Sequence, residues 1–410
     1  MRYLVLLIAL IGCTDDAATD TDTSTSEIDL DAISSLERPS QRSEVYGIPD
    51  EVSNSILVFG GNEGPIVNQH PKAVYVDETW IFEPGYGWTE LDVQGPSARA
   101  RYGAAYDPTS RRALIFGGRY RDEGAQGDYT LFRELWSFDF VAQEWELLSQ
   151  KQGPKRRTYP SMFWDDEEQS LYLFGGMTNK SPMVIEVAED LWRWKDGEWE
   201  ELEMGGEVPS TRTFLGEAWD PNRRELILFG GQIGDYWSYA YNDTYSLSVD
   251  TLEWTHLSEG SKKKHKPSTR MHPHLTYDSV GERVVLFGGH TDIGDGNDLW
   301  ELDSESGQWS LLREADNFTG ESLGCLDNGS DVPANYVDQD VTAPERRHRG
   351  MFTFMNNSLW IYGGMHAECS DHLDDTWRYG LDGDDWVELI EARTGESCER
   401  RDSDCECLCY

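Results

Sequence analysis

The chain has 410 residues, and its 76 acidic against 35 basic side chains leave a net charge of −41. So acidic a surface repels nucleic acid and anionic lipid and excludes both as partners, while it favours solubility, cationic partners and divalent ions. The length exceeds one ordinary domain but suits a single repeat architecture.

The N-terminus comes first. Arg2 precedes an apolar run, Tyr3 to Ile11, that is too short to cross a bilayer and reads as a signal peptide over residues 1–12. The run ends in Leu10-Ile11-Gly12-Cys13, which resembles the lipobox of bacterial lipoproteins. That resemblance implies cleavage before Cys13, acylation of its sulfur, and anchoring to the cell envelope, on the periplasmic face or the cell surface. An ordinary signal peptide with an incidental cysteine is the alternative. Residues 13–37, rich in Thr, Ser and Asp, cannot bury enough surface to offset the entropy of ordering and read as a flexible acidic linker.

From there a repeat takes over. Apolar strands end in paired glycines at Gly60-Gly61, Gly117-Gly118, Gly175-Gly176, Gly230-Gly231, Gly288-Gly289 and Gly363-Gly364, so that first glycines lie 57, 58, 55, 58 and 75 residues apart. Pro-x-x-Arg stands upstream each time, giving Arg42, Arg99, Arg157, Arg212, Arg270 and Arg347. An acid then precedes an aromatic by two residues: Glu78/Trp80, Glu134/Trp136, Asp190/Trp192, Asp243/Tyr245, Asp298/Trp300 and Asp375/Trp377. A further tryptophan follows at 88, 145, 199, 254, 309 and 386. These marks resemble the kelch repeat over about residues 38 to 391. The resemblance implies an all-β, six-bladed propeller with four antiparallel strands per blade, each blade unable to bury both faces alone. The propeller is expected over 38–391, with an insertion at about 313–343 and a Cys-rich tail over 392–410. All six units read as complete, so ring closure needs no exchanged strand, although Ile28-Asp29-Leu30 resembles the end of one.

In a propeller the repeat arginines and the loops after each glycine pair share one rim of the central channel. Six arginines there suit a carboxylate ligand, but six matching acids make pairing within each repeat the natural expectation. Loops that do not repeat are the better candidates for contact with a ligand. The fourth carries Tyr236, Trp237, Tyr239 and Tyr241, aromatic faces among carboxylates that suit sugars or a peptide, and the second carries Arg119 and Tyr120. In the fifth, Asp292, Asp295 and Asn297 offer oxygens to Ca²⁺, though without EF-hand spacing; no other cofactor is expected. His290, His366, Glu368, His372 and Asp374 offer imidazole and carboxylate to a transition metal, or are plain polar loop residues. Six cysteines besides Cys13 suggest disulfides in an oxidising compartment, and Cys325 of the insertion is expected to pair with Cys369.

Kelch propellers most often bind proteins; some are galactose oxidases that use copper, and others are sugar mutarotases. No Tyr/His/Cys set for the oxidase chemistry is identifiable here. The expectation is therefore a non-enzymatic binding module, tethered outside the cytoplasm, that presents its rim to a glycan or protein at the cell envelope. A carbohydrate-active enzyme and a structural envelope lipoprotein are the alternatives, and the oligomeric state stays open.

Overall fold

In the computed structural model of the chain the described residues run from 37 to 393, apart from 68–69, 126–127, 182–183, 233–239, 261–265, 292–293, 316–341, 367–370, 382 and 384. Six antiparallel sheets follow one another along the chain. Blade 1 is Gly47–Asp50, Ser55–Phe59, Thr79–Glu83 and Gly87–Leu91; blade 2 is Gly103–Asp107, Arg112–Phe116, Leu135–Asp139 and Glu144–Ser149. Blade 3 is Ser161–Asp165, Ser170–Phe174, Leu191–Lys195 and Glu198–Leu202, and blade 4 is Gly216–Asp220, Glu225–Phe229, Thr244–Ser248 and Glu253–Ser258. Blade 5 is His274–Asp278, Arg283–Thr291, Gly294–Asp303 and Gln308–Arg313, and blade 6 is Met351–Met355, Ser358–Tyr362, Thr376–Gly380 and Trp386–Ile390. All four core strands of every blade come from one contiguous segment, so no strand is exchanged at closure. Ile28 to Leu30 lie outside the described residues.

Period-2 alternation decides which way each side chain packs. Ile56 and Val58 of blade 1 face blade 6, and Leu57 and Phe59 between them face blade 2. Each of the six blade interfaces thus holds its own apolar cluster, including the one between blades 6 and 1 that closes the ring.

The glycine pairs stitch the blades together. A Cβ on Gly60 would lie 2.4 Å from the carbonyl oxygen of Arg99 in the next blade, which only glycine tolerates at φ 62°. Beside it, Gly61 N–H donates to that same carbonyl at 3.0 Å. Gly364 N–H donates to Arg42 at 2.9 Å, so the same bond joins blade 6 to blade 1.

A second stitch depends on one residue per blade. Trp88, Trp145 and Trp309 donate from Nε1 to the hydroxyls of Thr376, Thr79 and Thr244 in the preceding blade, at 3.0–3.1 Å. At the equivalent position the other blades carry Leu135, Leu191 and Leu299, and the indole nitrogens facing them, on Trp199, Trp254 and Trp386, have no partner among the described residues. Thr244→Val should therefore leave Trp309 Nε1 unpaired and lower stability by about 1–2 kcal/mol in a denaturant titration. The same change at an exposed threonine serves as the control.

A candidate ligand site at the channel neck

The repeat arginines are structural. Arg42, Arg99, Arg157, Arg212, Arg270 and Arg347 pair with Glu78, Glu134, Asp190, Asp243, Asp298 and Asp375 of their own repeats. From Nη1 each also donates to the carbonyl of its blade's first glycine. A ligand cannot take these guanidinium groups without breaking the frame.

Two residues beyond each arginine the chain does something else. Glu44, Arg101, Tyr159, Phe214, His272 and Arg349 all adopt a left-handed backbone, with φ between 50° and 64°. For side chains this bulky the conformation costs on the order of 1 kcal/mol or more each. Glycine would relieve it, yet none of the six is glycine; the side chain is what the position holds.

These six side chains form a closed ring of contacts around the channel. Arg101 pairs with Glu44 and lies 4.9 Å from the Tyr159 ring centre. Tyr159 meets Phe214 edge-on at 5.3 Å, and Phe214 lies 4.3 Å from His272. Arg349 donates to His272 Nε2 at 3.1 Å and comes back to within 3.8 Å of Glu44. One half of this neck is aromatic and the other charged.

Its charges do not balance. Arg119 adds a third guanidinium 3.6 Å from Glu44, and no second carboxylate pairs with the three among the described residues. Burial would raise Glu44, but Arg101, Arg119 and Arg349 overcome it and hold its carboxyl below the usual carboxylate range. Burial and the neighbouring Arg101 and Arg119 push Arg349 down from its ordinary value. The Nε atoms of Arg101, Arg119 and Arg349 are buried and make no hydrogen bond among the described residues, and neither does Glu44 Oε2. A largely buried excess of cations is chemically suited to an anionic group.

Beside the neck lies a cavity of about 600 Å³, lined by Glu44, Tyr159, Phe214, His272 and Arg349 together with Tyr46, Trp219 and Phe352. Its size suits a small ligand or the end of a larger one. Glu217 also lines it, accepting a hydrogen bond from Ser161 Oγ at 3.1 Å; burial pushes its carboxyl up to about 7.

The candidates named from the sequence fall in several places. Arg119 joins the neck, with Tyr129 4.0 Å from its guanidinium, and Tyr120 donates from its hydroxyl to Asp122 at 2.7 Å. Tyr241 packs 3.8 Å from the guanidinium of Arg212. Asp295 lies between His290 and His348, at 2.6 and 3.0 Å, while Asn297 donates to the carbonyl of Pro344 at 3.1 Å. His366 faces Glu345 at 3.3 Å, His372 bonds the carbonyl of Gly64 at 2.8 Å, and Asp374 faces Arg38 and Arg393. Cys13, Tyr236, Trp237, Tyr239, Asp292, Cys325, Glu368 and Cys369 lie outside the described residues. The neck residues other than Arg119, and His348, were not among the candidates. Their signal is positional: one variable residue at a fixed step from an otherwise constant arginine.

A ring of six blades around a lined channel defines a kelch β-propeller, a scaffold for binding. Residues 12–193 and 166–322 match the KLHDC2/KLHL20/DRC7 Kelch-repeats domain, and the chain belongs to that kelch-repeat family. It is similar to Kelch domain-containing protein 10 of Homo sapiens, 26% identical over 304 residues that make up 72% of this chain and 61% of that protein. The protein of the same name from Xenopus laevis is 28% identical over 72% of this chain and 66% of its own length. An N-(sulfonatooxy)prop-2-enimidothioate sulfolyase of Thlaspi arvense is 26% identical over 66% of this chain and 75% of its own length. The chain thus spans under two thirds of the length of the Kelch domain-containing protein 10 relatives it matches.

Proposed function

We propose that this chain is an envelope-anchored binding propeller that holds a carboxylate-bearing ligand in its central channel. Cys13, in its lipobox-like context, supplies the anchor to the membrane. The ligand's anionic group docks on Arg349, Arg101 and Arg119, and its remainder fills the largely apolar cavity beside them. One observation carries this reading: three guanidinium groups, their side chains only 9%, 12% and 7% exposed, face a single carboxylate in a chain whose net charge is −41. Within so negative a chain, a cationic patch inside the channel is set for a ligand rather than for the outer surface. Glycans and proteins of the envelope both carry carboxylates.

The test is calorimetry on the detergent-solubilised full chain with matched pairs, an acidic sugar against its neutral analogue and a short peptide against its amidated form. Saturable binding of the acid in one pair, and not of its neutral partner, is expected, and the pair that responds identifies the source. Equal binding of both partners, or none in either pair, would contradict the reading.

A second reading, a carbohydrate-active enzyme, has Glu217 in its favour, a cavity carboxyl that keeps its proton close to neutral pH. It predicts turnover of the bound sugar that Glu217→Gln abolishes while binding persists.

A further inference from the structure

We propose that His290, Asp295 and His348 form a binding site for a divalent first-row transition-metal ion in the wall of the channel, independent of the ligand site at the neck.

The site is built by two blades. In blade 5 the second and third strands continue past the glycine pair, so that His290 and Asp295 become cross-strand partners in register. This hairpin is held on its other side by Arg270–Met271 and at its turn by Thr291 Oγ1, which donates to the carbonyl of Gly294 at 2.7 Å. Blade 6 supplies His348, fixed by its bridge to Met365. Elements of two neighbouring blades thus meet at the site.

All three side chains are buried, at 7%, 0% and 3% exposure, and one ligand atom from each lies within 4.8 Å of the others. Both imidazoles turn Nδ1 toward the same oxygen, Asp295 Oδ1, at 2.6 and 3.0 Å. His348 Nδ1 makes no hydrogen bond among the described residues despite its short distance. His290 Nδ1 meets hydrogen-bond geometry at that oxygen and His348 Nδ1 does not; two imidazole nitrogens and a carboxylate drawn together in this way form a donor set that a cation can share.

The donor set selects the ion. Two imidazole nitrogens and one carboxylate suit zinc, cobalt or iron(II), whereas calcium and magnesium prefer an all-oxygen shell. Three protein ligands leave at least one coordination position open. Since His348 precedes Arg349 in the chain and its ring lies 5.8 Å from that of His272, the site stands one side chain outward from the channel lining.

Cobalt(II) is the probe. The full chain is stripped with EDTA, then titrated with Co²⁺ while visible absorbance and bound metal are followed. The expected result is one Co²⁺ per chain, weak ligand-field bands, no strong thiolate-to-cobalt charge transfer, and a rise in Tm on loading. His290→Asn and His348→Asn should each weaken uptake by about a hundredfold or more. Asp295→Asn, which keeps the side chain's shape, should do the same. Equal Tm values for the metal-free variants and the metal-free wild type show that the fold survives. If a variant does not fold, the stoichiometry and spectrum of the wild type still decide. No stoichiometric uptake, uptake that survives in folded variants, or thiolate bands from the Cys-rich tail would each overturn the proposal.

Discussion

Arg270→Met is expected to destabilise the propeller by about 3–5 kcal/mol, with a fall in Tm of several degrees. Arg270 is 2% exposed and grips both oxygens of Asp298, at 2.7 and 2.8 Å, while it donates to the carbonyl of Gly288 at 2.8 Å. Methionine fills the same volume but strands a buried carboxylate and a buried carbonyl. The attraction between the pair does not set the size of the effect, because desolvation offsets most of it. What sets it is the charge left behind. Changing Asp298 as well, to Leu, should therefore recover most of the loss. At the exposed pair of Arg193 and Glu200, Arg193→Met should cost under about 1 kcal/mol at its contact with Glu200, half-open to water. Denaturant titrations of the three variants measure all of this, and a loss at Arg270 no larger than at Arg193 would contradict the pairing account.

The second large effect is acid lability. Burial drives His272 well below its ordinary value, and the nearby Arg349 drives it further. Burial also lowers His274 to about 3 and His348 to about 4, although Asp295 raises the latter. These rings are neutral in the folded chain and would be protonated in the unfolded one below about pH 6.5. The unfolded state then binds more protons, so stability falls as pH drops, from about 6.5 down through 4. Three such groups give a slope of about 4 kcal/mol per pH unit. Glu217 works against them: its carboxyl, raised to about 7, takes up a proton in the folded state first and returns about 1.4 kcal/mol per unit over the same window. Three outweigh one, and the chain in EDTA should lose roughly 3–4 kcal/mol of stability between pH 6.5 and 5. Unfolding curves at pH 7, 6 and 5 test this directly; a flat profile would show that these histidines are not held neutral.

What the sequence disclosed follows from where each signal sits. The six blades, the alternation of Ile56, Leu57, Val58 and Phe59, and the pairing of repeat arginines with repeat acids all lie within a single repeat, so a fixed spacing exposes them. Contacts between blades are harder to see. The threonines at 79, 244 and 376 matter only through tryptophans one blade further on. The neck residues occupy left-handed positions that belong to neither the strand period nor a glycine turn, so nothing in their chemistry sets them apart until the ring closes. His290 and Asp295 were visible as candidates for different ions. Only the meeting of blades 5 and 6 adds His348 and turns an oxygen-rich loop into a nitrogen-bearing site.

The most direct test of the central claim is to compare Arg349→Gln with the wild type in two measurements on the same preparation, ligand affinity and thermal stability. A guanidinium held for a ligand should be dispensable to the fold, because its removal lightens a buried excess of positive charge. The account predicts an unchanged or higher Tm together with a loss of about 2–3 kcal/mol in carboxylate binding, roughly thirty- to a hundredfold in affinity. A variant that unfolds readily yet binds as tightly as the wild type would show that Arg349 serves the scaffold, and the neck would lose its claim to the ligand.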